Sequence, residues 1–126
     1  MKLESEKRPI IKGKVGDKEA YFLLDTGASL SLIDEDKVKK YELVYGKKFP
    51  GTIVGAGGEI EDCYYCNSFV EIGDKKIAQF ILTDISSVKS SILRETGLEI
   101  LGIIGYPQIK FLGIALNPRD NKIYLN

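Results

Sequence analysis

Tyr21-Phe22-Leu23-Leu24-Asp25-Thr26-Gly27 is the stretch that decides the reading of this chain. Apolar residues of strand-forming type run into a carboxylate and then into a tight glycine turn. Asp25 is therefore expected at the end of a buried strand, held rigidly at the rim of the core and partly desolvated. The tripeptide Asp-Thr-Gly occurs once in the chain. Any chemistry that needs two such carboxylates needs a second chain.

Upstream, Ile10 to Val15 and Glu19 to Leu24 read as two strands around Gly16-Asp17-Lys18, a hairpin. Downstream, Leu30-Ser31-Leu32-Ile33 reads as a short strand. Asp34 can cap a short helix through Lys40, with Asp34, Glu35 and Asp36 at its positive N-terminal end and Val38 and Tyr41 facing inward. Phe49 to Asp62 then sets Gly51, Gly55, Gly57 and Gly58 among Ile53, Val54 and Ile60. Glycines at the tip of two strands suit a mobile β-hairpin whose backbone approaches a ligand closely, and equally an ordinary surface hairpin.

The opening theme returns. Val15-Gly16-Asp17-Lys18 recurs as Ile72-Gly73-Asp74-Lys75, 57 residues on, and each copy leads into an apolar strand, the second at Gln79 to Leu82. Ile100 to Gly105 is a buried apolar strand ending at glycine, and Pro107 to Leu112 can form a short helix because proline fits a first turn. Ile114 to Leu116 and Lys122 to Leu125 flank Asn117-Pro118-Arg119-Asp120-Asn121, a final hairpin. The pattern predicts an internal duplication about a pseudo-twofold axis, with the aspartate in the first half only.

A chain of 126 residues suffices for one domain with its own core, placed at residues 10–126 behind an N-terminal tail of residues 1–9. Eighteen basic residues cancel eighteen acidic ones, which gives no electrostatic reason for a nucleic-acid or membrane-surface partner. No apolar run approaches the about 20 residues that span a bilayer. The charged start, Met1 to Arg8, does not read as a signal peptide, so the compartment stays open and is cytoplasmic if Met1 is the native start.

Histidine is absent, which excludes imidazole-based nucleophile systems and histidine-ligated zinc. Cys63 and Cys66 lack the second pair of a four-cysteine zinc site. On a strand from Ile60 to Val70 they would point to opposite faces, as two free thiols. Tyr64-Tyr65 reads as packing on or beside the glycine-rich hairpin, and the lysines at 37, 39, 40, 47 and 48 as a solvated face.

Taken in order, Leu23-Leu24-Asp25-Thr26-Gly27-Ala28-Ser29, Ile53-Val54-Gly55-Ala56-Gly57-Gly58-Glu59-Ile60 and Ile103-Ile104-Gly105 resemble the retropepsins, the single-domain aspartic proteases of retroviruses and their cellular and bacterial relatives. The resemblance implies an all-β fold with one or two short helices, a closed barrel or sandwich with a pseudo-twofold repeat and a flap hairpin. It implies an aspartic endopeptidase that acts as a homodimer on an extended peptide, with no metal or cofactor. Asp25 would be the catalytic carboxylate, sharing one proton with its twin and activating a water. Thr26 would lock the two active loops together, and Gly27 would leave room for the substrate backbone. Ala28 and Ser29 would begin the pocket wall. Ala56, Gly57 and Gly58 would meet the substrate from the flap. Ile103, Ile104 and Gly105 would pack beneath the active loop.

Two departures stand out. Retroviral members pair an aspartate two residues after the motif glycine with an arginine just after the second apolar-apolar-glycine; here those positions are Ser29 and Tyr106. The loop must be braced in another way. A full C-terminal hairpin also replaces the single terminal strand that interleaves between viral subunits, so the dimer is expected to be built differently. Two other readings are a catalytically silent retropepsin-fold module that dimerises or binds peptide, and a fragment of a larger pepsin-like protein, against which the internal repeat counts.

Overall fold

The computed structural model describes residues 1–55 and 58–125. In chain order the elements begin with β1 (Ile10–Val15), β2 (Lys18–Asp25) and β3 (Leu32–Asp34). A single 3-10 turn (Glu35–Lys37) leads into α1 (Val38–Tyr41), β4 (Tyr45–Lys48), β5 (Ile53–Gly55), β6 (Gly58–Ile60) and β7 (Tyr64–Cys66). The second half holds β8 (Val70–Ile72), β9 (Lys75–Ile77), β10 (Ile81–Thr83), α2 (Ser86–Thr96) and β11 (Ile100–Gly105). It ends with α3 (Tyr106–Leu112), β12 (Ala115–Asn117) and β13 (Lys122–Tyr124).

Nine strands form one sheet in the order β4-β7-β10-β3-β11-β2-β1-β8-β9. The expected closed barrel or sandwich takes the form of a curled half-barrel whose hydrogen-bonded order runs from β4 to β9. At its centre β3 lies antiparallel to β11, with Leu32 opposite Ile103 and Ile33 opposite Gly102. On one side β11 runs parallel to β2; on the other, β10 runs parallel to β3. Each half of the chain thus supplies one inner and one outer strand of a four-strand centre, the pseudo-twofold that the repeat predicted.

The repeated tetrapeptides make the same turn. Val15 faces Lys18 across Gly16-Asp17, and Ile72 faces Lys75 across Gly73-Asp74. Gly16 and Gly73 sit at φ 64° and 62°, a region where any residue with a Cβ is strained. The main core lies inside the curl, around Phe22 and Phe80, whose ring centroids are 6.0 Å apart, with Ile104 and Leu112. A second cluster joins Ile10, Ile100 and Ile103 to Ile85 and Ile92 of the α2 region. A third lies under β5 and β6, where Tyr65 packs edge-on to Phe49 at 5.6 Å, beside the hairpin as expected.

Several boundaries differ from the sequence reading. β3 begins two residues later than expected. The strand expected from Ile60 to Val70 is three pieces, broken where Asp62 adopts φ 59°. Cys63 and Cys66 are both free and buried, and they do fall on opposite sides, in the third and the main cluster. Gln79, at φ 65°, separates β9 from β10, so the second apolar strand starts at Ile81. Lys37 leaves the expected solvated face and bonds Glu99 at 3.1 Å. Residues 1–3 pair with β13: Lys2 bridges Lys122, the Leu3 N–H donates to the Asn121 carbonyl at 3.0 Å, and Leu3 is buried.

The longest helix, α2, had no counterpart in the sequence reading. It starts where Asp84 Oδ1 accepts the Ser86 N–H at 2.8 Å and stops at Gly97, φ 78°. That hydrogen bond holds the Asp84 carboxyl below its ordinary value. A lowered folded-state value contributes stability above the unfolded value near pH 4 and loses it as pH falls through the folded one. Asp84→Ala should cost about 0.5 kcal/mol at pH 7, the low end for a capping carboxylate since this one is open to solvent. Urea midpoints measured from pH 7 to 3 should converge with wild type at the acid end.

Candidate active site

Asp25 is the last residue of β2 and stands in register with Gly105, the last residue of the parallel strand β11. Beyond it the chain folds back on itself. The Gly27 N–H donates to Asp25 Oδ1 at 3.0 Å, and the Ala28 N–H donates to the Asp25 carbonyl at 3.1 Å. The Tyr106 N–H then donates to the Ala28 carbonyl at 2.8 Å, tying the loop to the start of α3. Backbone bonds on two sides fix where the carboxylate points.

A buried polar bracket completes the loop. Ser31, 2% exposed, accepts the Gly105 N–H on Oγ at 2.8 Å and donates its own proton to Gln108 Oε1 at 2.7 Å. Gln108 Nε2 donates to the Ala78 carbonyl at 3.2 Å. This chain of bonds joins the first half (Ser31), the second half (Gly105, Gln108) and the β9–β10 connection (Ala78). It supplies the bracing that Ser29 and Tyr106, both exposed, do not. Neither Ser31 nor Gln108 was picked out from the sequence. The one available signal was a hydroxyl inside the apolar run Leu30-Ser31-Leu32-Ile33, which a buried position obliges to find a partner. Ser31→Ala should destabilise by about 1–3 kcal/mol, because it leaves the Gly105 N–H buried and unpaired. Guanidinium unfolding with an unchanged slope would register it.

The expected partial desolvation of Asp25 is not found on the single chain. Asp25, Thr26, Gly27 and Ser29 are exposed and Ala28 is half-buried. The Thr26 hydroxyl has no hydrogen-bond partner among the described residues. Beside Asp25 lies a cavity of about 360 Å³ walled by Leu23, Leu24, Ile109, Ile114 and Leu116. Arg8 stands at the same cavity, held by Glu95 of α2 through contacts of 2.8 and 3.2 Å.

The glycine-rich segment forms a hairpin, with Ile53 opposite Ile60, Val54 opposite Glu59 and Gly55 opposite Gly58. Gly58 is the first residue of β6; Ala56 and Gly57, the other two expected substrate contacts, lie outside the described residues. The structure thus brings Asp25 to Ser29 together in one loop over the second apolar-apolar-glycine. Among the described residues no three His, Cys, Asp or Glu side chains gather as a metal site.

A family model described as aspartyl protease matches residues 11–107. Two solved structures are similar in fold. EIAV protease, complexed with the inhibitor HBY-793, superposes with a TM-score of 0.64 at 24% identity, over 93% of this chain and 99% of that one. The retroviral protease-like domain of Ddi1 from Leishmania major superposes with a TM-score of 0.59 at 13% identity, over 93% of this chain and 86% of that one.

Proposed function

The chain belongs to the aspartyl protease family, and from that premise we propose that it is an aspartic endopeptidase that works as a homodimer. One observation carries the reading. A single carboxylate, held by the Gly27 N–H, stands exposed at the rim of an apolar cavity that no second acid lines among the described residues. A twin Asp25 from a second copy would complete it. Two adjacent carboxylates hold one proton between them. The ionised member takes a proton from water as the water oxygen bonds to the peptide carbonyl carbon. The protonated member hydrogen-bonds the carbonyl oxygen, and a proton passes to the leaving nitrogen.

The other residues have supporting parts. Dimerisation would cover the loop and give the free Thr26 hydroxyl a partner across the axis. Gly27, Ala28 and Ser29 would line the path of an extended peptide, and the β5–β6 hairpin, with Ala56, Gly57 and Gly58 as its substrate contacts, would close over it and exclude water.

The test is cleavage of a diverse peptide library by wild type and Asp25→Asn, read by mass spectrometry from pH 4 to 7. Cuts made only by wild type, rising faster than linearly with enzyme concentration in the dilute range, are expected. Silence from both proteins, with a folded dimer in hand, would overturn the protease reading in favour of a peptide-binding or dimerisation module.

A further inference from the structure

Two hollows adjoin at Ala78 and Gln79, in the link between β9 and β10. One, of about 600 Å³, is also lined by Lys47, Asn67 and Phe69. The other, of about 280 Å³, is also lined by Lys76 of β9 and by Pro107 and Phe111 of α3. Together they make a groove that shares no wall residue with the cavity beside Asp25. Its backbone is held against preference at the point where the hollows meet. Gln79 sits at φ 65°, and its neighbours keep it there: the Ala78 carbonyl accepts from Gln108 Nε2 at 3.2 Å, and the Phe80 carbonyl accepts the Cys66 N–H at 2.7 Å. Three other residues with side chains share this region. Glu42 ends a helix, and Asp62 and Asn121 are of types that tolerate it; Gln79 has neither excuse. Strain of this kind gathers where a ligand is clamped.

The walls state what would fit. Phe111 and Phe69, 66% and 58% exposed, are the two most exposed aromatic rings among the described residues, and each flanks one hollow. Two lysines and no acid line the groove. Lys76 stands 3.9 Å from Glu71, at the limit of an ion pair, and Lys47 has no acidic partner among the described residues. The shape asked for is extended. β9 is the end strand of the nine-stranded sheet, and its hairpin with β8 closes on Ile72 and Lys75. By the alternation of an antiparallel pair, the next residue, Lys76, turns its N–H and C=O away from β8, onto an edge with no strand against it among the described residues.

We propose that this groove docks an extended, acidic segment of a partner protein, with apolar side chains of the segment beside Phe69 and Phe111 and its carboxylates on Lys47 and Lys76. The segment adds to the open edge of β9 at Lys76, so that main-chain hydrogen bonds give affinity and the two hollows give selectivity. Charge complementarity is the feature that chooses this occupant, because it sets an acidic segment apart from a basic one of the same apolar content. Docking needs no chemistry at Asp25.

The test uses the full chain carrying Asp25→Asn, so that no probe is cut. The probes are two fluorescein-labelled pools of short peptides, in which phenylalanine and leucine alternate with aspartate in one pool and with lysine in the other. Fluorescence anisotropy should show the aspartate pool binding about tenfold more tightly than the lysine pool. Lys47→Glu with Lys76→Glu should reverse that preference. Phe69→Ser with Phe111→Ser, both at exposed positions, should weaken binding about tenfold with an unchanged circular dichroism spectrum. Gln79→Gly should weaken it without lowering the thermal midpoint, since glycine relieves the backbone. Failure of the aspartate pool to bind, or a preference that the charge reversal leaves in place, overturns the proposal. So does a weaker dimer in Phe69→Ser with Phe111→Ser and no bound peptide, which would give the groove to contact between copies. Peptide cleavage by the chain with Asp25 intact is read separately, and its presence or absence bears on the protease reading alone.

Discussion

Gly105→Ala should fail to give a folded, active protein. A Cβ at this position would lie 2.5 Å from the Leu30 carbonyl oxygen, 2.8 Å from the Leu30 carbonyl carbon and 2.9 Å from the Ala28 carbonyl oxygen. All three are backbone atoms of the Asp25 loop, so no rotamer change relieves the contact. The cost should exceed the about 3 kcal/mol at the top of ordinary overpacking. Any fraction that folds would hold the loop displaced, and a displacement of about 1 Å at reacting groups is enough to cost about a hundredfold in rate. Gly97→Ala is the matched control. It has the unfavourable φ of 78° but open space around it, and should cost about 1 kcal/mol without affecting cleavage. Thermal unfolding and peptide cleavage, run on both variants, separate crowding from backbone strain.

The second large effect is expected at Lys89. Its ammonium donates to Asp34 Oδ2 at 2.7 Å, where the Asp34 side chain is only 2% exposed, and it lies 4.0 Å from Glu99. Lys89→Ala strands a buried carboxylate and should destabilise by about 3–5 kcal/mol. The double variant Asp34→Asn, Lys89→Met should recover most of that loss, since neutral groups of similar volume often replace a buried pair at little cost. The hydrogen bond to Asp34 raises the Lys89 value above that of a free lysine. A raised value gives stability that is fully present below the unfolded value near 10.4 and lost as pH rises through the folded one. On the alkaline side, denaturant midpoints of wild type and Lys89→Ala should therefore stay apart through pH 9 and approach each other only above about pH 10.5.

What was legible in the sequence was local. The turns at Gly16 and Gly73, the strand ending at Asp25, the second apolar-apolar-glycine at Ile103 to Gly105 and the cap at Asp34 each need only neighbours along the chain. What was not legible depends on distant partners. Helix α2, with serines at 86, 87, 90 and 91, buries only Ile92, so its apolar face carries no periodic signal; it is held by Lys89 on Asp34 and Glu95 on Arg8. The break at Gln79 uses a left-handed conformation that glutamine rarely takes. Ser31 and Gln108 lie 77 residues apart, and no spacing rule connects them. At the site, the Asp25 loop was readable and the bracket beneath it was not.

That bracket sets a schedule for synthesis. The loop residues Asp25 to Ser31 are made early, yet their fixing bonds come from Gly105, Tyr106 and Gln108, near the far end of the chain. A growing polypeptide, emerging N-terminus first, displays the aspartate long before those distant bonds can form. The Asp25 loop therefore takes its braced form only once Gly105, Tyr106 and Gln108 have been made.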